Sequence, residues 1–106
     1  MLIRSQDKNI LLNYNGGFVE VEPIYEYTII NTTPTAMETG EYKISYSCCD
    51  NKICIGSYST EEKAIKVLDM IQNAYYNFEY SKFLGCDNDT FAGCVFEMPQ
   101  DEEVKA

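Results

Sequence analysis

Ser57-Tyr-Ser-Thr-Glu-Glu-Lys-Ala-Ile-Lys-Val-Leu-Asp-Met-Ile-Gln-Asn-Ala-Tyr-Tyr76 is the one strongly helical stretch of this chain, and almost everything before it reads as β-strand. Ser59, with Glu62 three residues on, matches a capping box. Glu61 and Glu62 put negative charge in the first turn, where the helix dipole favours it. Glu62 and Lys66 form an i,i+4 pair in the better orientation. Ala64, Ile65, Leu68, Ile71 and Tyr75 recur at helical spacing as one apolar stripe. Val67, Met70 and Ala74 make a second stripe beside it. A helix on a single sheet needs only one, so the second either faces another surface, such as a partner subunit, or widens the core face beneath a covering loop.

Upstream, Leu2 to Gln6 and Ile10 to Tyr14 read as strands around a turn at Asp7-Lys8-Asn9. Asn15-Gly16-Gly17 is a strong hairpin signal, because both residue types tolerate positive φ. Phe18 to Ile30 is rich in Val, Ile and Tyr, with Tyr25, Tyr27 and Ile29 on one face and Pro23 marking a bulge, an edge or a break. Asn31 to Gly40, Thr-rich and holding Pro34, reads as a loop. Glu41 to Cys49 alternates, with Tyr42, Ile44, Tyr46 and Cys48 on one side. Asp50-Asn51 is the expected turn into Lys52 to Tyr58, whose buried face carries Ile53 and Ile55.

Downstream, the helix can continue to Phe83-Leu84 with Gly85 as C-cap. A polar loop from Cys86 to Gly93 and a short strand over Cys94 to Met98 follow. Together these give an α+β fold: an antiparallel β-sheet of about five to six strands packed with one long C-terminal helix, continuous or broken in two. The reading is one domain over residues 1–106, with 100–106 as a frayed acidic tail.

Composition narrows the function classes. The chain has 106 residues, 45% of them apolar, and a net charge of −9. The apolar content is that of a globular protein. The charge repels phosphate backbones and argues against a nucleic-acid polymer as ligand, although backbone amides and one or two cations can still hold a single anionic nucleotide. With no signal-peptide pattern and no membrane span, the expected location is the cytoplasm. Five cysteines in a leaderless chain point to reduced thiols.

Histidine is absent, which removes the usual general base and the usual metal ligand. No C-x-x-C pair exists, and Cys48 and Cys49 on one strand are expected to point to opposite faces, so no metal site is expected. Asp87-Asn88-Asp89-Thr90 opens like a calcium loop but lacks the sixth-position Gly and the closing Glu. No catalytic residue and no cofactor is expected. The best small-molecule pocket joins the aromatic cluster of Tyr75, Tyr76, Phe78, Tyr80 and Phe83 to the loop bearing Asn88 and Thr90.

Three segments carry a resemblance: Met1-Leu-Ile-Arg-Ser-Gln-Asp-Lys8, Gly56-Ser-Tyr-Ser-Thr-Glu-Glu-Lys-Ala-Ile-Lys-Val-Leu-Asp-Met-Ile-Gln72 and Val95-Phe-Glu-Met-Pro-Gln-Asp101. They cover roughly a third of the chain and look like a family of small proteins from Gram-positive bacteria and their phages. The layout is similar to the first family of Thoeris anti-defence nucleotide sponges. That resemblance implies an N-terminal antiparallel sheet with C-terminal helices and assembly through dimers. It also implies sequestration, without cleavage, of a cyclic ADP-ribose isomer. The family's aromatic maps onto Phe78 or Phe83 and its Asn-bearing loop onto Asn88 and Thr90. Its C-terminal arginines have no counterpart in Gln100-Asp101-Glu102-Glu103, leaving Arg4, Lys52, Lys82 and Lys105 as substitutes. The alternative is an acidic protein–protein module that inhibits a host protein such as a nuclease or polymerase.

Overall fold

In the computed structural model the described residues are 1–14, 17–83 and 95–105, with only the backbone described for 81–83. Among the described residues, six strands, one α-helix and a 3₁₀ turn follow in the order β1 Leu2–Arg4, β2 Leu11–Asn13, β3 Phe18–Ile30, β4 Thr33–Cys48, β5 Asn51–Tyr58, α1 Glu61–Phe83, β6 Val95–Glu97 and Asp101–Glu103. The α+β class holds, with two differences. The strands divide into two three-stranded sheets, β2-β1-β6 and β3-β4-β5. The helix is continuous over its described residues, Glu61–Phe83, and internal in chain order, since β6 follows it and pairs parallel with β1.

The small sheet is mixed because β2 turns straight back on β1 while β6 arrives after a crossover. The β1–β2 turn falls where the sequence places it, with Lys8 at φ 68°. The Ser5 hydroxyl donates to Asp7 Oδ1 at 2.5 Å and accepts from Ile10 N–H at 3.1 Å. That hydrogen bond to Ser5 is the main cause holding the Asp7 carboxyl below its usual range. The Asn15-Gly16-Gly17 signal does not produce a hairpin, since β2 pairs with β1 and β3 with β4; Asn15 and Gly16 lie outside the described residues. Gly17 is required for another reason: a Cβ there would meet Ser47 O at 2.5 Å.

The larger correction is Asn31 to Gly40. This stretch is no loop. Asn31 and Thr32, at φ 51° and 65°, make the whole turn, as in a two-residue hairpin with both central residues left-handed. Thr33 already pairs with Ile30. Pro34 is tolerated because no further strand pairs with this part of β4. The second hairpin turns at Cys49-Asp50, one residue earlier than expected, again with both φ positive.

The core gathers Ile3, Leu12, Ile44, Tyr46, Ile55, Tyr58, Ala64, Val67, Ile71, Met98 and Val104. The helix buries one stripe: Ala64, Val67 and Ile71 fully, with Leu68, Ala74 and Phe78 at its half-buried margin. Val67 of the second stripe thus belongs to the core, while Ile65 of the first stripe and Met70 of the second are exposed. The helix is capped by Thr60, whose Oγ1 accepts from Lys63 N–H at 3.2 Å, rather than by Ser59. Ser59 N–H donates instead to Asp101 Oδ1 at 2.8 Å. This ties down the segment expected to fray: Asp101–Glu103 form the 3₁₀ turn, and Val104 is buried. A β-bulge between Ile44 and Ser45 resets the register with β5, so Ile55 is buried and Ile53 is exposed.

Beyond Tyr42 and Pro23 the larger sheet loses its third strand, and β3 and β4 continue alone as a two-stranded arm. A bulge at its base spans Ile24 and Thr39 to Glu41, with Gly40 at φ 89°. From Tyr25 to Glu41 every residue is exposed except Thr35, which is intermediate. The arm stretches the molecule to 62 × 32 × 21 Å, with a radius of gyration of 16.4 Å, against about 13 Å for a compact chain of this length.

Candidate functional site

Helix α1 packs on the larger sheet, and its middle, from Leu68 to Tyr75, meets Tyr14, just past β2, and Val19 of β3. A cleft of about 260 Å³ opens there, lined by Tyr14, Val19, Leu68, Asp69, Ile71, Gln72 and Tyr75. Tyr14 is held by its backbone N–H bond to Met1 O at 2.8 Å. Its ring packs against Tyr75, with centroids 5.1 Å apart and planes at 60°, and against Tyr46 at 5.8 Å and 49°. These tilted contacts suit the ring quadrupoles and stiffen one wall. The Tyr75 phenol is pushed up, first by the Glu79 carboxylate one turn along and then by desolvation, so it stays a neutral donor at ordinary pH.

One turn further, Tyr76 and Tyr80 stack at 6.2 Å with planes 11° apart. They are 66% and 52% exposed, so their outer faces are open to a flat ligand. Phe78 is half-buried at the edge of the core stripe. The backbone at Lys82 and Phe83 continues this helix, while Asn88 and Thr90 lie outside the described residues. Arg4 is not brought to this end. It occupies the exposed face of β1, opposite buried Ile3, and pairs with Glu97 at 3.9 Å. Lys52 is engaged with Glu20 at 3.1 Å and with Glu22, and that partnership holds the Glu22 carboxyl low.

A second, shallower depression of about 740 Å³ lies at the β4–β5 turn, lined by residues that include Phe18, Cys48, Cys49 and Lys52. Here the expectation about the cysteines fails. Cys49 adopts φ 54°, which swings its side chain round so that the two sulfurs are 3.4 Å apart. The neighbouring Cys48 thiol is the first cause raising the Cys49 thiol, leaving it a weak nucleophile. Among the described residues no group of three or more His, Cys, Asp or Glu converges as a metal site, and no helix is long and apolar enough to cross a membrane.

The sequence reading reached the helix-end aromatics but missed Tyr14 and Gln72. Tyr14 stands 61 positions from Tyr75, and no local pattern links them. No protein-family model matches the chain, and no curated protein or solved structure matches it either, so the site rests on its own geometry.

Proposed function

We propose that the chain is a non-enzymatic binding protein that sequesters a small cyclic nucleotide, of the cyclic ADP-ribose-isomer type, as a counter-defence protein of a phage or prophage. The observation that carries this reading is the cleft beside the Tyr14–Tyr75 pair. At about 260 Å³ it falls just below the ~300–1,000 Å³ of sites that hold whole drug-sized ligands. It therefore suits one base laid against the aromatic wall of Tyr14 and Tyr75, with the Gln72 amide as a donor–acceptor for the base edge. Asp69 on the rim opposes phosphate at that point, so the charged end of the ligand lies away from Asp69.

The test is to incubate the protein with a panel of cyclic nucleotides, denature it, and identify the released ligand by mass. Ligand recovered unchanged supports sequestration. Tyr75→Ala should weaken binding by about one to two decades, since base–aromatic stacking contributes about 1–3 kcal/mol. No shift in melting temperature across the panel, or recovery of a cleaved product, would overturn the reading.

The second reading, an acidic module that occupies a cationic host protein, has its own observation. Glu38, Glu61 and Glu62 surround Tyr42 at the base of the arm, and their charges add to desolvation in raising its phenol. Residues 18–42 hold five glutamates and no Lys or Arg. Glu38→Lys with Glu61→Lys should abolish binding to a purified cationic nuclease. Unchanged binding would discard this reading.

A further inference from the structure

We propose that the β3–β4 arm is a self-association element: two copies of the chain pack the Tyr25–Tyr27–Ile29 faces of their arms together, antiparallel, about a two-fold axis. An isolated two-stranded ribbon is at best marginally stable in water. This one carries Tyr25, Tyr27 and Ile29 at 48%, 75% and 77% exposure. Their cross-strand partners Glu38, Ala36 and Pro34 lie on the same face, so the patch is continuous and apolar except at its base. Proteins seldom leave such a face open to water.

Area and charge name the occupant. With ~150–250 Å² for a large side chain, this face exposes on the order of 500 Å². Two arms would then bury on the order of 1,000 Å², the size from which a specific interface becomes credible. The stretch from Thr28 to Met37 is uncharged, and Glu38 is the one carboxylate on the face. A parallel crossing would bring the two Glu38 side chains together. An antiparallel crossing centred on Tyr27 sets each Glu38 against the partner's Pro34 level, about 13 Å along the strands from its twin at ~3.3 Å per residue. That exceeds the ~10 Å screening length at 0.1 M salt. The two-fold arrangement also makes the contact self-complementary and closed, with aromatic and β-branched side chains facing each other across the pair.

The arm shares no residue with the Tyr14–Tyr75 cleft, so its test stands or falls apart from the ligand reading. Sedimentation velocity over about 1 to 100 µM protein should show a reversible dimer. Tyr27→Ser with Ile29→Ser should weaken it by about a hundredfold while circular dichroism stays unchanged, since neither residue touches the core. The orientation is read by disulfide trapping with the five native cysteines changed to Ser. Tyr25→Cys mixed with Ile29→Cys should cross-link faster than either variant alone. A parent that is monomeric throughout overturns the proposal, as does a double variant that dimerises like the parent. Faster cross-linking of Tyr25→Cys with itself overturns the antiparallel arrangement.

Discussion

Tyr58 and Tyr27 are the same side chain in one three-stranded sheet, yet one is 1% exposed and the other 75%. Tyr58, on β5, is buried and donates its hydroxyl proton to Pro99 O at 2.8 Å. Tyr27, on β3, stands on the arm where neither helix nor third strand covers it. The body of the molecule is closed by contacts between residues far apart in sequence. Gln6 N–H donates to Ile55 O at 2.8 Å, Gln6 Oε1 accepts from Ser57 N–H at 2.8 Å, and Gln100 Nε2 donates to Gln6 O at 2.8 Å. The arm has only its own ladder. Apolar content therefore does not distinguish the two regions. The number of layers does, and a face with one layer is either unfinished or meant for a partner.

Substitutions sharpen that contrast. Ile44 is fully buried between the helix and the sheet. Ile44→Ala should cost about 2–5 kcal/mol in a urea titration, the usual range for a large-to-small change in a core. A cost below about 1 kcal/mol would mean that the body is loosely packed and that the contrast with the arm is false.

A smaller effect tests the junction of β5 with the C-terminal segment. Tyr58→Phe removes one buried donor, but Pro99 O keeps the Gln6 Nε2 bond at 3.3 Å. The loss should therefore be near the ordinary net worth of a hydrogen bond, about 0.5–1.5 kcal/mol. Burial, with help from Asp101 and Glu103, pushes the Tyr58 phenol far up. It should not ionise in the folded protein at any pH where the fold persists, and an ultraviolet phenolate titration checks this.

Asp101 gives a pH signature. Its carboxyl is lowered chiefly by the Ser59 backbone N–H, with Lys63 at 3.3 Å contributing. A depressed folded pKa means that the contribution is complete above the unfolded value of about 4 and is lost as pH falls through the folded value. Stability should thus drop below about pH 4, and Asp101→Asn should flatten that limb while leaving the neutral-pH helix content unchanged. A variant with the same acid limb as the parent would show that the helix N-terminus is not held by this contact.

Much of this body could be read from the residues. The helix announces itself by its acidic first turn and its 3.6-residue period, and the Val-, Ile- and Tyr-rich run from Phe18 to Ile30 is β3, with Pro23 at a bulge rather than a break. What the residues hid was geometry decided at a distance. Thr33 to Gly40 carries Pro and Gly, the ordinary marks of a loop, yet a lone ribbon with open edges accepts both. Ser59 looked the better cap, but Asp101 takes its backbone amide and Thr60 caps instead. Ile53 and Ile55 alternate as one face until the bulge at Ile44–Ser45 separates them. The cleft joins Tyr14 to Tyr75 through packing alone. The Asn88 and Thr90 half of the expected pocket lies beyond the described residues, so only its helical side bears on the proposed function.

The smallest expected effect is the most telling. Tyr27→Ser removes a large aromatic side chain, which in a core costs several kcal/mol. On the arm the side chain is already mostly in water, so little transfer free energy can be lost. The unfolding free energy of the monomer should change by no more than about 0.5 kcal/mol, as for ordinary surface substitutions. That holds only where the chain is monomeric. If two arms pair, the folded state is also stabilised by mass action, and the melting temperature rises with protein concentration. The comparison therefore has two limbs. At high dilution, parent and variant should melt together; as concentration rises, the parent's melting temperature should climb while the variant's stays flat. A variant that melts well below the parent at every concentration would mean that Tyr27 supports the monomer itself, and the division into a closed body and an open arm would have to be withdrawn.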